Sequence, residues 1–208
     1  MQKKETEALI RLLNKYYPNP QCALNYSSPG ELLIATILSA QCTDERVNAV
    51  TKKLFIKYPT MQAFAKVKQS ELEKDIHSTG FYKNKARNII SCAKTLVDQY
   101  DGEVPQSLDA LVALAGVGRK TANVVLGNAF NIASGVVVDT HVTRLSHRLN
   151  LTQAKTAEKI EQDLNKIVPK KHWIRFSHWL ILHGRQVCKA RKPACMTCFL
   201  DDMCPKRI

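Results

Sequence analysis

Lys120 and Asp139 are the two residues whose surroundings point most directly to covalent chemistry. Lys120 ends the run Leu-Ala-Gly-Val-Gly-Arg-Lys, in which Gly116 and Gly118 punctuate a turn into a helix. On the first turn of that helix, beside Arg119 and the positive end of the helix dipole, the cationic form of an amine is disfavoured. A neutral amine can attack a carbon and form a Schiff base. Asp139 follows nineteen residues later, in Val-Val-Val-Asp-Thr-His-Val, where the next helix should begin. As an N-cap it would stay ionised, held by backbone amides and the dipole. Capping alone is the commoner role for such an aspartate, and phosphate binding the commoner role for such a lysine. Joint chemistry requires that the two meet in space.

The same glycine turn offers a second function. The backbone amides of Val117, Gly118 and Arg119 would face out of a helix N-terminus, where partial positive charge favours a phosphate, and Gly116 and Gly118 would permit its close approach. The alternative is a helix hairpin whose glycines only cap and turn it. A P-loop is excluded, because Arg119 separates Gly118 from Lys120 and the required upstream glycine is missing.

A third group is the cysteine set Cys188, Cys195, Cys198 and Cys204, with six, two and five residues between successive members. Four thiolates suit a soft metal centre. Structural four-cysteine zinc sites usually pair two Cys-x-x-Cys knuckles, and here only Cys195 and Cys198 are so spaced. The spacing leans towards an iron-sulfur cluster and leaves zinc open. Between the first two cysteines stand Lys189, Arg191 and Lys192. Pinned by a metal centre they would form a basic protrusion fit for a phosphate backbone; unpinned they are ordinary solvated charge. Cys22, Cys42 and Cys92 are scattered and read as small buried hydrophobes.

The elements that must position these residues are helices. Apolar periodicity marks helices at about 4–17, 29–38, 44–58, 84–98, 107–114, 120–130, 140–149, 156–168 and 171–184, with two short ones between 59 and 80 and no convincing strand. Ser28, Pro29 and Glu31 form a capping box before a helix that is apolar nearly all round, so 29–38 should be the central buried helix. The fold class is all-α, and 208 residues allow two compact lobes. Thirty-one Lys and Arg against 18 Asp and Glu give a net charge of +13, which favours a polyanionic partner. The charged N-terminus lacks a secretory h-region, and the longest apolar run, 32–40, is too short to span a membrane, so a cytoplasmic protein is expected.

Together, the Leu-Ala-Gly-Val-Gly-Arg-Lys-Thr-Ala-Asn-Val-Val, Val-Asp-Thr-His-Val and His-Trp-Leu-Ile-Leu-His-Gly-Arg runs and the terminal cysteines resemble bacterial endonuclease III, a helix-hairpin-helix DNA glycosylase family with a 4Fe-4S cluster. The resemblance covers essentially the whole chain. It implies two helical domains flanking a DNA-binding cleft: a six-helix domain over 22–133, with the hairpin at about 107–130, and a cluster domain formed by 1–21 and 134–208. It implies a bifunctional glycosylase and AP lyase of base excision repair, acting as a monomer on oxidised pyrimidines and abasic sites in duplex DNA, nucleoid-associated in a bacterium. The damaged nucleotide is flipped out of the stack, Lys120 attacks C1′, and Asp139 assists as base or as electrostatic stabiliser. Cys188, Cys195, Cys198 and Cys204 hold the cluster. Gln41 matches the residue that fills the gap left by the flipped nucleotide. Phe81 stands where other members place a leucine wedge, which keeps an apolar wedge and alters its shape. Ala115 replaces the usual hairpin proline. Two alternatives remain: an adenine-type monofunctional glycosylase, whose branch lacks the lysine, and a non-catalytic DNA-binding protein with a redox-sensing cluster.

Overall fold

The computed structural model describes residues 3–205. Every regular element among them is helical. The helices are α1 (Lys3–Tyr16), α2 (Pro29–Leu38), α3 (Asp44–Lys57), α4 (Met61–Lys66), α5 (Gln69–Ile76), α6 (Tyr82–Tyr100), α7 (Leu108–Val112), α8 (Arg119–Phe130), α9 (Thr140–Arg148), α10 (Ala157–Ile167) and α11 (Trp173–Gln186), with four short 3-10 turns. None is long and apolar enough to cross a membrane. The chain divides into two compact units, one formed by 22–132 and the other by 1–21 with 133–208.

The 22–132 unit is built on α2. Every residue from Leu32 to Leu38 is buried, and α3, α6 and α8 pack against the helix. Each fully buried leucine or isoleucine there contributes about 1.5–3 kcal/mol, so the all-round apolar sequence forces this helix to the centre. Its start differs from a closed capping box. Ser28 Oγ accepts the Glu31 amide at 3.2 Å, but Glu31 Oε2 accepts the amide and hydroxyl of Ser27, at 2.6 and 2.7 Å. The reciprocal bond is shifted back by one residue, because the Ser27 hydroxyl adds a second donor. Cys92 is fully buried as expected, whereas Cys22 and Cys42 are half-buried at the edge of the core.

The other unit has its own core, with Trp179, Phe176, Leu180, Leu9, Leu13 and Leu145 at its centre. Helix α11 packs on α9 and α1. It runs two residues beyond Gly184, to Gln186, and so reaches the first cysteine.

Candidate functional site

Helix α8 delivers Lys120. Its inner face, Ala122, Val125 and Leu126, is buried and packs on α2, which fixes the helix and leaves its first turn exposed. Gly118 is the N-cap, with φ −87° and ψ 171°, and offers no side chain to the first-turn amides. A Cβ at Gly118 would meet nothing within 4 Å, so the space before those amides is open. Gly116 has the opposite reason to be glycine. Its φ is +76°, and a Cβ would lie 2.9 Å from the Cβ of Asn88 on α6. Val117 departs from the sequence expectation: its amide donates to the Leu114 carbonyl at 3.2 Å and its side chain is buried, so it braces the turn from within. The outward surface of the turn therefore starts at Gly118. Lys120 is exposed, and no hydrogen bond or ion pair engages its ammonium among the described residues.

Asp139 is set by an extended segment of the second unit. The Val136 amide donates to Asn165 Oδ1 on α10 at 3.0 Å, and the Val137 amide to Ser177 Oγ on α11 at 2.8 Å, while Val136 and Val138 bury their side chains. The aspartate caps α9 as expected, its Oδ1 accepting the Val142 amide at 2.8 Å. Oδ2 makes no bond among the described residues, so half of the carboxylate is available for a second task.

Gln41 and Phe81 share an unusual backbone. Gln41, in the break after α2, has φ 53°, and Phe81, the N-cap of α6, has φ 50°. Neither is glycine, and both lie in the left-handed region, which costs about 1–2 kcal/mol. Phe81 is 62% exposed, so it is not a core aromatic. Two strained, exposed side chains at adjacent element ends are what a surface that inserts into a ligand requires.

The four cysteines border one pocket, walled by Leu145, Leu149, Val187 and Pro193. Among the described residues no three potential ligands converge closely enough for a single ion; the sulfurs surround a space instead. Burial pushes the Cys198 thiol up, and Cys188, Cys204 and Cys195 each push it further while the Leu200 amide opposes them. Thiolates this crowded are relieved by a cationic centre. A cluster also needs donors around its sulfurs. Arg148 Nη1 lies 3.2 Å from Cys188 Sγ, the Leu200 amide 3.4 Å from Cys198 Sγ and His183 Nε2 3.5 Å from the same sulfur. Tyr17 lies 3.1 Å from His183 Nδ1; with the hydroxyl donating, Nε2 carries the proton that faces Cys198. Burial holds His183 near a pKa of about 4, hence neutral. The donor set fits an iron-sulfur cluster.

Two arginines absent from the sequence reading organise this loop. Arg148 donates to the carbonyls of Lys189 and Ala190, both at 2.9 Å, and Arg144 to those of Gly184 and Cys188 at 3.0 and 3.1 Å. With these carbonyls tied inward, Lys189, Arg191 and Lys192 are exposed as a group. The only sequence signal was the four-residue spacing of Arg144 and Arg148 on α9, which a solvated face shares.

Comparison with known proteins agrees with this geometry. The HhH-GPD superfamily of base excision DNA repair proteins matches residues 34–170, and the iron-sulfur binding domain of endonuclease III matches 188–204. Endonuclease III of Synechocystis is 53% identical over 203 residues, covering 98% of this chain and 93% of that protein. The Escherichia coli enzyme is 45% identical over 201 residues, covering 97% and 94%. A non-covalent endonuclease III–DNA complex superposes with a TM-score of 0.94 at 45% identity, covering 99% of this chain and 96% of that one. A trapped covalent endonuclease III–DNA intermediate gives the same score and identity, covering 99% and 97%. The protein carries a 4Fe-4S cluster-binding domain, and the chain belongs to the endonuclease III family of helix-hairpin-helix base excision DNA repair proteins.

Proposed function

We propose that this DNA glycosylase and AP lyase works through Lys120, on oxidised pyrimidines and abasic sites in duplex DNA, as a monomer at the nucleoid. The observation that carries this reading is an exposed, uncommitted lysine at the start of the hairpin helix, in a chain so similar to an enzyme trapped covalently on DNA. The neutral amine of Lys120 attacks C1′ of the deoxyribose, the N-glycosidic electron pair leaves with the base, and the ring opens to a protonated Schiff base. That iminium acidifies the C2′ proton, whose loss expels the 3′ phosphate and nicks the strand. Asp139 keeps one oxygen on the α9 cap and gives the other to the reaction, as acceptor of the amine proton or as counter-charge to the sugar.

The hairpin amides from Gly118 onward and the side chain of Arg119 grip the backbone. Lys189, Arg191 and Lys192 add a second phosphate contact. Gln41 and Phe81 enter the duplex, filling the gap and wedging the base step. Cys188, Cys195, Cys198 and Cys204 would hold the cluster, which when bound ties residues 188–204 into one folded loop. An adenine-type monofunctional glycosylase is disfavoured by Lys120 itself, and a non-catalytic binder by the similarity to the trapped intermediate. The test is a panel of duplexes carrying thymine glycol, an abasic site, or adenine opposite an oxidised guanine. Base release with nicking should appear for the first, nicking for the second, and neither for the third. Adenine release without nicking would refute the assignment.

A further inference from the structure

Among the described residues of the 22–132 unit, Lys85 is the one fully buried charged side chain, at 4% exposure. An ammonium out of water needs acceptors aimed at it. It has two, the Leu38 carbonyl at 2.8 Å and the Thr79 carbonyl at 2.7 Å. Their positions give the contact its meaning. Leu38 is the last residue of α2, three before Gln41, and Thr79 ends the 3-10 turn His77–Thr79, two before Phe81. The Lys85 amide donates to the Phe81 carbonyl at 3.1 Å as the first backbone bond of α6, which sets the lysine one turn from Phe81. A positive charge at the C-terminal end of α2 is also favoured by the helix dipole.

We infer that Lys85 is a positioning residue for damage recognition, a buried clamp that ties the Gln41 loop to the Phe81 loop and sets the spacing of the two side chains that enter the duplex; this rests on the reading of Gln41 and Phe81 given above. Both tips have left-handed backbones that relax unless their surroundings hold them. The clamp supplies the hold from beneath, where DNA cannot displace it. Burial pushes the ammonium below its ordinary range, and the two carbonyls fix its position between the loops. An apolar side chain of the same length would leave both carbonyls without their donor and the two loops untied. A buried cation bonded to two loop carbonyls is instead a device for fixing their relative position.

The experiment is a mutant cycle read by single-turnover base release from a thymine glycol duplex, with 2-aminopurine opposite the lesion reporting the opened base step. Lys85→Met keeps the aliphatic stem and removes only the donors. It should fold, slow base release by tenfold or more and lower the 2-aminopurine signal, and Lys85→Arg should restore part of both. In the Gln41→Ala/Phe81→Ala background, Lys85→Met should cost less than a further twofold, because the clamp acts only through those side chains. An equal slowing in both backgrounds would overturn the clamp while leaving the wedge reading intact. A Gln41→Ala/Phe81→Ala variant as fast as the wild type would overturn the wedge reading and the clamp with it. Should Lys85→Met not fold, Lys85→Gln, a shorter neutral donor, carries the same cycle with the same two outcomes.

Discussion

Substituting alanine at Gly118 and at Gly116 separates what the hairpin does for the fold from what it does for DNA. At Gly118 the backbone is extended, and an added Cβ meets nothing within 4 Å. Alanine is a slightly poorer N-cap than glycine, by roughly 0.5 kcal/mol, and it restricts the unfolded chain, which returns about 0.4–1 kcal/mol. The two offset, so the melting temperature should move by less than about 2 °C. The methyl group would stand where a phosphate oxygen must close on the first-turn amides. Losing one or two charge-assisted bonds of about 1.5 kcal/mol each weakens binding roughly ten- to a hundredfold. Gly116→Ala should do the reverse. A left-handed alanine costs about 1–2 kcal/mol, and moving Asn88 away from a 2.9 Å contact adds about 1 kcal/mol. Melting should fall by roughly 5–10 °C. Thermal melts and fluorescence anisotropy with an abasic-analogue duplex read both quantities. A Gly118→Ala protein that melts and binds like the wild type would show that no phosphate approaches these amides.

Further outcomes follow from the cluster loop and the surface. Arg148→Ala loses its bonds to Cys188 Sγ and to the Lys189 and Ala190 carbonyls, so a chelator should strip iron roughly tenfold faster, seen as bleaching of the visible absorbance with helix content unchanged. Replacing Lys189, Arg191 or Lys192 by serine should weaken binding to all duplexes alike and reduce the slope of log affinity against log salt by about one each, measured by titration at several salt concentrations. Acid stability should depend on Glu71, which Lys57 at 2.9 Å, with Tyr58, holds below its ordinary 4.5. A depressed carboxyl contributes stability above the unfolded value and loses it as pH falls through the folded one. Glu71→Gln should therefore lower the melting temperature slightly at neutral pH, where the half-exposed pair contributes, and match the wild type below about pH 4.5, so that its decline with acid is flatter.

Much of the architecture was legible in the sequence because helix periodicity and caps are local signals. Ser28, Thr43, Ser107, Asp139 and Thr156 all accept a backbone amide at the helix starts, and the stretch Leu32–Leu38, apolar but for Thr36, is the core helix. What was not legible is tertiary. Arg144 and Arg148 read as a charged helix face until the chain brings residues 184–190 beneath them. Lys85 reads as one more surface lysine until Leu38 and Thr79 converge on it from 47 and 6 residues away. The inward turn of the Val117 amide depends on a single hydrogen bond to Leu114, below the resolution of any pattern in residue types. The left-handed backbones of Gln41 and Phe81 have no sequence signature, since neither residue favours that region.

The central claim is that Lys120 is the covalent nucleophile. The most direct measurement is borohydride reduction during turnover of a thymine glycol duplex, followed by proteolysis and mass spectrometry of the DNA-linked peptide. The account predicts one adduct, on Lys120, absent from Lys120→Gln although that variant still binds the duplex. An adduct on another amine, or base release with no adduct at all, would contradict it.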